Sequence, residues 1–305
     1  MKAFIFPGQG CQREGMGLNL YENFSEAKSI FEKANDILGR RITDVMFYGT
    51  ELELLRTENT QPAVFIYEVV LSLVQTKINP DVVAGHSLGE FAALVVNKTL
   101  TFEDGLNLVL HRALISQDVC NKFETAMGAV IGLSDDYISK RLEEISNEYS
   151  EPLYVANFNG PGQVVITGSK NGIRIACKIF KNDGAKKAVT LPISGSFHSP
   201  YMEEARIQLS DIINKTKFYE PICPIYQCVD AQSNIDPVVI RRNLISHITH
   251  PVLWTNMIKN MENDGVSEFY EVGTDDTLQK IVSRMCPDKI VDSIWNLPIY
   301  NNLID

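Results

Sequence analysis

Asp81-Val82-Val83-Ala84-Gly85-His86-Ser87-Leu88-Gly89-Glu90-Phe91-Ala92-Ala93-Leu94-Val95-Val96 decides how the rest of the chain is read. Residues 81–84 form a short apolar run, the signature of a buried strand. Leu88 to Val96 suits a helix. Between them stands the pattern Gly-x-Ser-x-Gly with Ser87 at its centre. A strand that turns into a helix through this pattern is the context of a nucleophile elbow. The glycines permit the tight turn, and the turn lifts the serine hydroxyl to the carboxyl end of a sheet. The helix then aims its free N–H groups and partial positive charge at the same spot.

Upstream, Ala3 to Phe6 reads as a buried strand closed by the turn signal Pro7-Gly8-Gln9-Gly10. Helices are predicted at about Ser25 to Leu38, with Gly39 as the stop, and at about Gln61 to Gln75, with Pro62 in the first turn. Downstream, Thr101 and Asp104 fit a capping box that opens a helix to about Val119. Strands alternating with helices predict an α/β domain with a mostly parallel sheet, α/β-hydrolase-like around the elbow.

After Phe123 the pattern changes. Ala126 to Leu133 is strand-like, and Ser134 caps a helix carrying Ile138, Leu142 and Ile145. Leu153 to Asn157 and Gln163 to Gly168 are strands around a Gly-Pro-Gly turn. Ser169 caps a helix with Ile173, Ala176, Cys177 and Phe180 on one face, and Lys187 to Leu191 is a last strand. The order β-α-β-β-α-β is the ferredoxin-like unit. We therefore expect a small ferredoxin-like domain at 124–191 inserted into a large α/β domain made of 1–123 and 192–305. Phe269 to Val272 is one strand of the returning segment.

The chain has 305 residues, 45% hydrophobic and 22% charged, enough for a sizeable core. Its net charge of −10 repels nucleic acid and anionic membranes, so neither is expected as a partner. No apolar run reaches the roughly 20 residues of a membrane span, and no signal peptide is read at the N-terminus, so a cytoplasmic protein is expected. The six cysteines are scattered. The one close pair, Cys223 and Cys228, has neither zinc-site spacing nor a neighbouring histidine, and no metal is expected.

A serine needs a base to take its proton. The candidates are His86, His111, His198, His247 and His250. His86 adjoins the serine, but adjacent side chains on an elbow point apart. His198 leads, because Gly195-Ser196-Phe197-His198-Ser199-Pro200 is a loop with small neighbours, where functional residues concentrate. The others read equally as solvated or core histidines. Arg112, on a mostly apolar helix, is either an ion-paired residue or a fork that grips a carboxylate bidentately.

These residues, taken in order, resemble the malonyl-CoA:acyl carrier protein transacylases of bacterial fatty-acid synthesis and the related acyltransferases of polyketide synthases. The resemblance covers nearly the whole chain. It rests on Phe6 to Gln12, Thr60-Gln61-Pro62-Ala63, Gly85 to Glu90, Arg112, Asn157 to Gln163, Gly195 to Met202, Pro251-Val252-Leu253-Trp254 and Glu271-Val272-Gly273. It implies that Ser87 carries the acyl group and His198 is its base, oriented by the backbone carbonyl of Leu253. Gln9 and Leu88 supply the N–H groups of an oxyanion hole, and Arg112 pairs with the malonate carboxylate. Phe197 and Leu88 are the residues of members that take malonyl rather than methylmalonyl groups. No cofactor is implied, malonyl-CoA being the substrate, and a monomer is expected. Cys11, where the motif has Ser, and Gly273-Thr274-Asp275-Asp276, where it more often reads Gly-Pro-Gly, depart from the family.

The implied acyl carrier protein is acidic, like this chain, so its docking patch must be local. Lys170, Arg174, Lys178 and Lys181 fall on one helical stripe, followed by Lys186 and Lys187. This stripe is the expected contact for the carrier or the coenzyme A phosphates, with a plain solvated face as the alternative. Competing functions are a serine hydrolase, esterase or thioesterase, a trans-acting acyltransferase of polyketide synthesis, and a non-catalytic acyl-binding subunit. The hydrolase reading lacks an obvious acid to complete its triad.

Overall fold

The computed structural model describes residues 1–74 and 78–296. The expected helix end at Gln75 and the tail 297–305 of the large domain lie outside the described residues. In chain order the strands are β1 (Lys2–Phe6), β2 (Val82–Gly85), β3 (Thr125–Ile131), β4 (Leu153–Gly160) and β5 (Gln163–Ser169). Then come β6 (Lys187–Ser194), β7 (Ile225–Tyr226), β8 (Ser233–Asn234), β9 (Glu268–Glu271) and β10 (Ile290–Ser293).

Six of them form one sheet in the order β10-β9-β1-β2-β7-β8. All neighbours run parallel except β7 and β8. β1 and β2 are buried almost throughout, as the centre of a parallel sheet covered on both faces must be. Phe6 stands opposite Gly85 in the β1–β2 register. The Pro7–Gln9 turn and the Ser87 elbow therefore leave the sheet side by side at its carboxyl edge, where open α/β sheets bind ligands.

The Ser25–Leu38 helix closes on Gly39, whose φ of 61° is the left-handed stop. The next long helix begins at Thr57, four residues before the expected Gln61, and so carries Pro62 in its interior. Proline has no N–H for the carbonyl of residue 58. That carbonyl instead accepts from the Arg40 guanidinium at 2.8 Å, which lets the helix run through. Thr101 caps the Phe102–Cys120 helix by accepting from Asp104 N–H. Its own hydroxyl, not its backbone N–H, donates to the Asp104 carboxylate, so the expected box is half made.

The remaining four strands form an antiparallel sheet in the order β4-β5-β3-β6. They span Thr125 to Ser194, three residues beyond the expected 191. The Asp135–Tyr149 and Lys170–Asn182 helices, capped by Ser134 and Ser169, bury Ile138, Leu142 and Ile145 and Ile173, Ala176 and Phe180 against one face. From this sheet Met127, Ala156, Val165 and Leu191 join the core of the large sheet's unit. A parallel bridge between Asn157 and Val252 stitches the two units, with Phe158 N–H on Val252 O and Val252 N–H on Ala156 O, both 2.9 Å. The small sheet thus roofs the carboxyl edge from which Ser87 projects. Among the described residues no helix is long and apolar enough to cross a membrane, and all six cysteines are free thiols.

Candidate active site

The elbow is tight enough to exclude any side chain at its flanks. A Cβ on Gly85 would lie 2.1 Å from Glu90 N, and one on Gly89 2.2 Å from Phe6 O. Ser87 itself sits at φ 53°, the left-handed region a non-glycine residue rarely adopts. The turn is held by Gly89 N–H on His86 O and Glu90 N–H on Ser87 O, each 3.1 Å.

His198 is buried and also left-handed, at φ 59°, after Gly195 at 113°. Its Nε2 lies 2.7 Å from Ser87 Oγ. Its Nδ1 lies 3.0 Å from His247 O and 3.1 Å from His250 O. Two carbonyls can be met only by an N–H, so the proton sits on Nδ1 and Nε2 is left as the acceptor of the serine proton. Burial, reinforced by the charge of Arg112, lowers the ring's pKa to about 3. The base is therefore neutral, as it must be to accept. The place an acid takes in a Ser–acid–His hydrolase is filled here by main chain.

The expectation that Leu253 orients the base is corrected. The Leu253 carbonyl accepts from Met257 N–H at 2.9 Å and opens the Trp254–Asn263 helix. Its N–H goes to Cys228 O at 3.0 Å. The Val252 bridge fixes residues 251–253 in that role, and the turn before it, His247–Thr249, wraps the base instead. His86 turns away from the serine. Its Nε2 meets Asn159 Oδ1 at 2.8 Å and its ring packs on Trp254. His111 is exposed on its helix, as is His250 in its turn.

Arg112 is 2% exposed. It donates to Gln61 Oε1 at 2.7 Å and to Ser87 Oγ at 3.2 Å, and its Nε has no partner among the described residues. The Phe91 and Phe197 rings flank the guanidinium, centroids 5.8 and 5.9 Å away. Burial lowers its pKa to about 10, so it stays a cation at neutral pH. Among the described residues no carboxylate lies within ion-pair distance of it. Ser87, His198, Arg112, Gln9 and Phe197 line one cavity of about 80 Å³, together with Met127 and Asn157. A second cavity, of about 260 Å³, shares Gln9, His86, Met127 and Asn157 with it. The backbone N–H groups of Gln9 and Leu88 have no hydrogen-bond partner among the described residues.

Sequence reasoning gave no role to Gln61, which with Ser87 accepts the hydrogen bonds of Arg112 among the described residues. Its signal was weak but present: a polar residue on a helix buried nearly all round. The His247 and His250 carbonyls carry no sequence signal, because any residue offers one. Glu90, Cys228 and His247 place their donor atoms within 4.8 Å of one another. Glu90 already accepts from Cys228 N–H at 2.9 Å and Gln227 Nε2 at 3.0 Å, and the Cys228 thiol donates to Gly85 O. Glu90 and Cys228 thus hold the elbow, while His247 Nε2 has no hydrogen-bond partner among the described residues.

The departures from the family pattern meet each other. Thr274 donates to Cys11 O, and Asp275 binds Arg13 at 2.8 Å. Arg13 in turn donates to Gly10 O and Gln12 O, so the 273–276 loop braces the turn that carries Gln9. The stripe residues Lys170, Arg174, Lys178, Lys181, Lys186 and Lys187 are all exposed. They lie outside the cavity.

The family described as acyl transferase domain matches residues 3–293. A malonyl CoA-acyl carrier protein transacylase of Bacillus subtilis is 33% identical over 285 residues, 93% of this chain and 90% of that protein. The malonyl CoA-acyl carrier protein transacylase structure from Coxiella burnetii matches with a TM-score of 0.92 at 32% identity, over 96% of this chain and 93% of that one. A malonyl-transacylase solved in complex with its holo type II PKS acyl-carrier protein matches at 0.90 and 31%, over 96% and 94%. A serine whose base is aimed by main-chain carbonyls thus sits in a chain that belongs to the acyl transferase family, among the malonyl CoA-acyl carrier protein transacylases.

Proposed function

We propose that this protein moves a malonyl group from malonyl-CoA to the phosphopantetheine thiol of holo acyl carrier protein, through a Ser87 ester, for fatty-acid synthesis. The observation that carries the reading is Arg112: a buried cation with no carboxylate partner, 3.2 Å from the nucleophile. A buried unpaired charge is costly. A malonyl carboxylate entering the cavity offsets that cost and is held bidentately. Two relatives of known structure and name point the same way, one of them in complex with a carrier protein.

In the first half-reaction Ser87 Oγ attacks the thioester carbon while its proton passes to His198 Nε2. The tetrahedral oxyanion faces the N–H groups of Gln9 and Leu88; one such donor is worth about 10²–10³ in rate. Collapse expels the coenzyme A sulfur, which takes the proton from His198. The second half-reaction repeats these steps in reverse with the carrier thiol as nucleophile. Thioester replaces thioester, so the difficulty is to keep water off the ester. Clamping the carboxylate on Arg112 leaves the ester carbon facing the cavity through which a thiol arm enters. Phe197, Met127 and the small volume favour malonyl over branched groups. The exposed stripe from Lys170 to Lys187 is the surface for the acidic carrier or the coenzyme A phosphates.

Arg112→Ala tests the reading. Malonyl loading is expected to fall about 10²-fold, while acetyl loading from acetyl-CoA falls less than about 5-fold. Equal losses on both donors would show that Arg112 is not the carboxylate site.

A further inference from the structure

We propose that the His247 side chain is a positioning residue for the transfer: seated between Glu90 and the Ser87 backbone, it fixes the main-chain carbonyl that aims His198 at the serine. The inference takes its reaction from the acyl-transfer reading above, but its geometry stands on the elbow alone.

His247 is 1% exposed, and its carbonyl is one of the two that hold His198 Nδ1. Its ring packs edge-on against the His198 ring, centroids 5.2 Å apart at 80°, and against Phe91 at 6.0 Å. The Ser87 backbone also adjoins the ring. Among the described residues its Nε2 has no hydrogen-bond partner, and it faces Glu90 Oε2 across 3.9 Å. A shift of about 1 Å completes that hydrogen bond. Burial raises the pKa of the Glu90 carboxyl and lowers that of the His247 ring, so it works against an ion pair between them.

Glu90 stands one helical turn after the nucleophile. Its carboxyl takes Cys228 N–H and the Gln227 amide. Gln227 Oε1 in turn accepts from Asn243, on the Pro237–Ser246 helix that runs into His247. Two routes, one through the His247 ring and one through Gln227 and Asn243, thus converge from Glu90 on the turn that wraps the base. That turn also holds the base's own backbone, His198 N–H on Ile248 O at 3.0 Å. A wholly buried ring with a free nitrogen is a poor choice for filling space alone, since an aliphatic side chain would pack without leaving a polar atom unmet. Its use is to set where the carbonyl stands, and small displacements of a base are expensive.

The test compares His247→Leu with His247→Gln in the full chain. Leucine fills the space without a polar atom; the glutamine amide reaches Glu90. Two readouts are taken: the labelling rate of Ser87 by a fluorophosphonate, and single-turnover loading from malonyl-CoA. Leucine is expected to slow both by about 10- to 100-fold, with KM for malonyl-CoA within twofold of wild type. Glutamine is expected to stay within about threefold of wild type. Should the leucine variant not fold, His247→Asn, polar but too short to reach Glu90, is expected to be slow in its place. Wild-type rates in the leucine or asparagine variant, equal losses in leucine and glutamine variants of equal Tm, or a loss confined to KM would each overturn the proposal. Phosphonate labelling needs no malonyl donor, so this inference and the acyl-transfer reading fail separately.

Discussion

At the scale of single residues, His198 is defined by what its far nitrogen touches. Two carbonyls fix one tautomer, and burial keeps the ring neutral. Loading should therefore lack an acid limb near pH 6.5, the ordinary histidine value. Single-turnover loading measured from pH 8 down to 5 is expected to stay within about threefold; a midpoint near 6.5 would contradict the account. The same shift has a stability sign. Between about 6.5 and 3 the unfolded chain binds a proton that the folded ring refuses, so this histidine's contribution is whole above 6.5 and is lost as pH falls. Ser87, His198 and Arg112 were legible in the sequence because their chemistry belongs to the residue type. The carbonyls of His247 and His250 were not, because every residue has one, and the resemblance points to Leu253 instead. Gln61 was hidden because a buried glutamine declares no partner until the fold brings Arg112 to it.

At the scale of elements, the Lys170–Asn182 helix shows what amphipathic spacing does and does not say. Its apolar face was readable and is buried. Its basic face is exposed, and Asp183, just past its end, is occupied by Tyr137 O–H and Arg141. Among the described residues no carboxylate is ion-paired to the stripe, which supports the proposed contact with an acidic partner. Lys178→Glu with Lys181→Glu is expected to raise the KM for holo carrier protein about 5- to 20-fold, more steeply at low salt. An unchanged KM would return the stripe to a solvated face. Helix ends were legible where a capping residue spoke for them, as Gly39, Ser134 and Ser169 did. The start at Thr57 was missed because Pro62 reads as a first-turn residue, and only the distant Arg40 makes it tolerable inside. The elbow was legible because both its glycines are forced by backbone contacts near 2 Å.

At the scale of the whole molecule, function comes from two sheets meeting. The parallel sheet delivers Ser87 and Gln9 from adjacent strand ends, and the antiparallel sheet closes over them with Met127 and Asn157. The split was legible because helix-strand alternation gives way to β-α-β-β-α-β after Phe123. The backbone stitch at Val252 was not, being a pairing between segments about a hundred residues apart. On the proposed function, this assembly stores a malonyl group on Ser87 until a carrier thiol collects it. Intact-protein mass after brief exposure to malonyl-CoA, with Ser87→Ala alongside, tests this most directly. The account predicts one malonyl adduct on the wild type alone, discharged by holo acyl carrier protein. An adduct on the alanine variant, or rapid release of free malonate with none reaching the carrier, would contradict it.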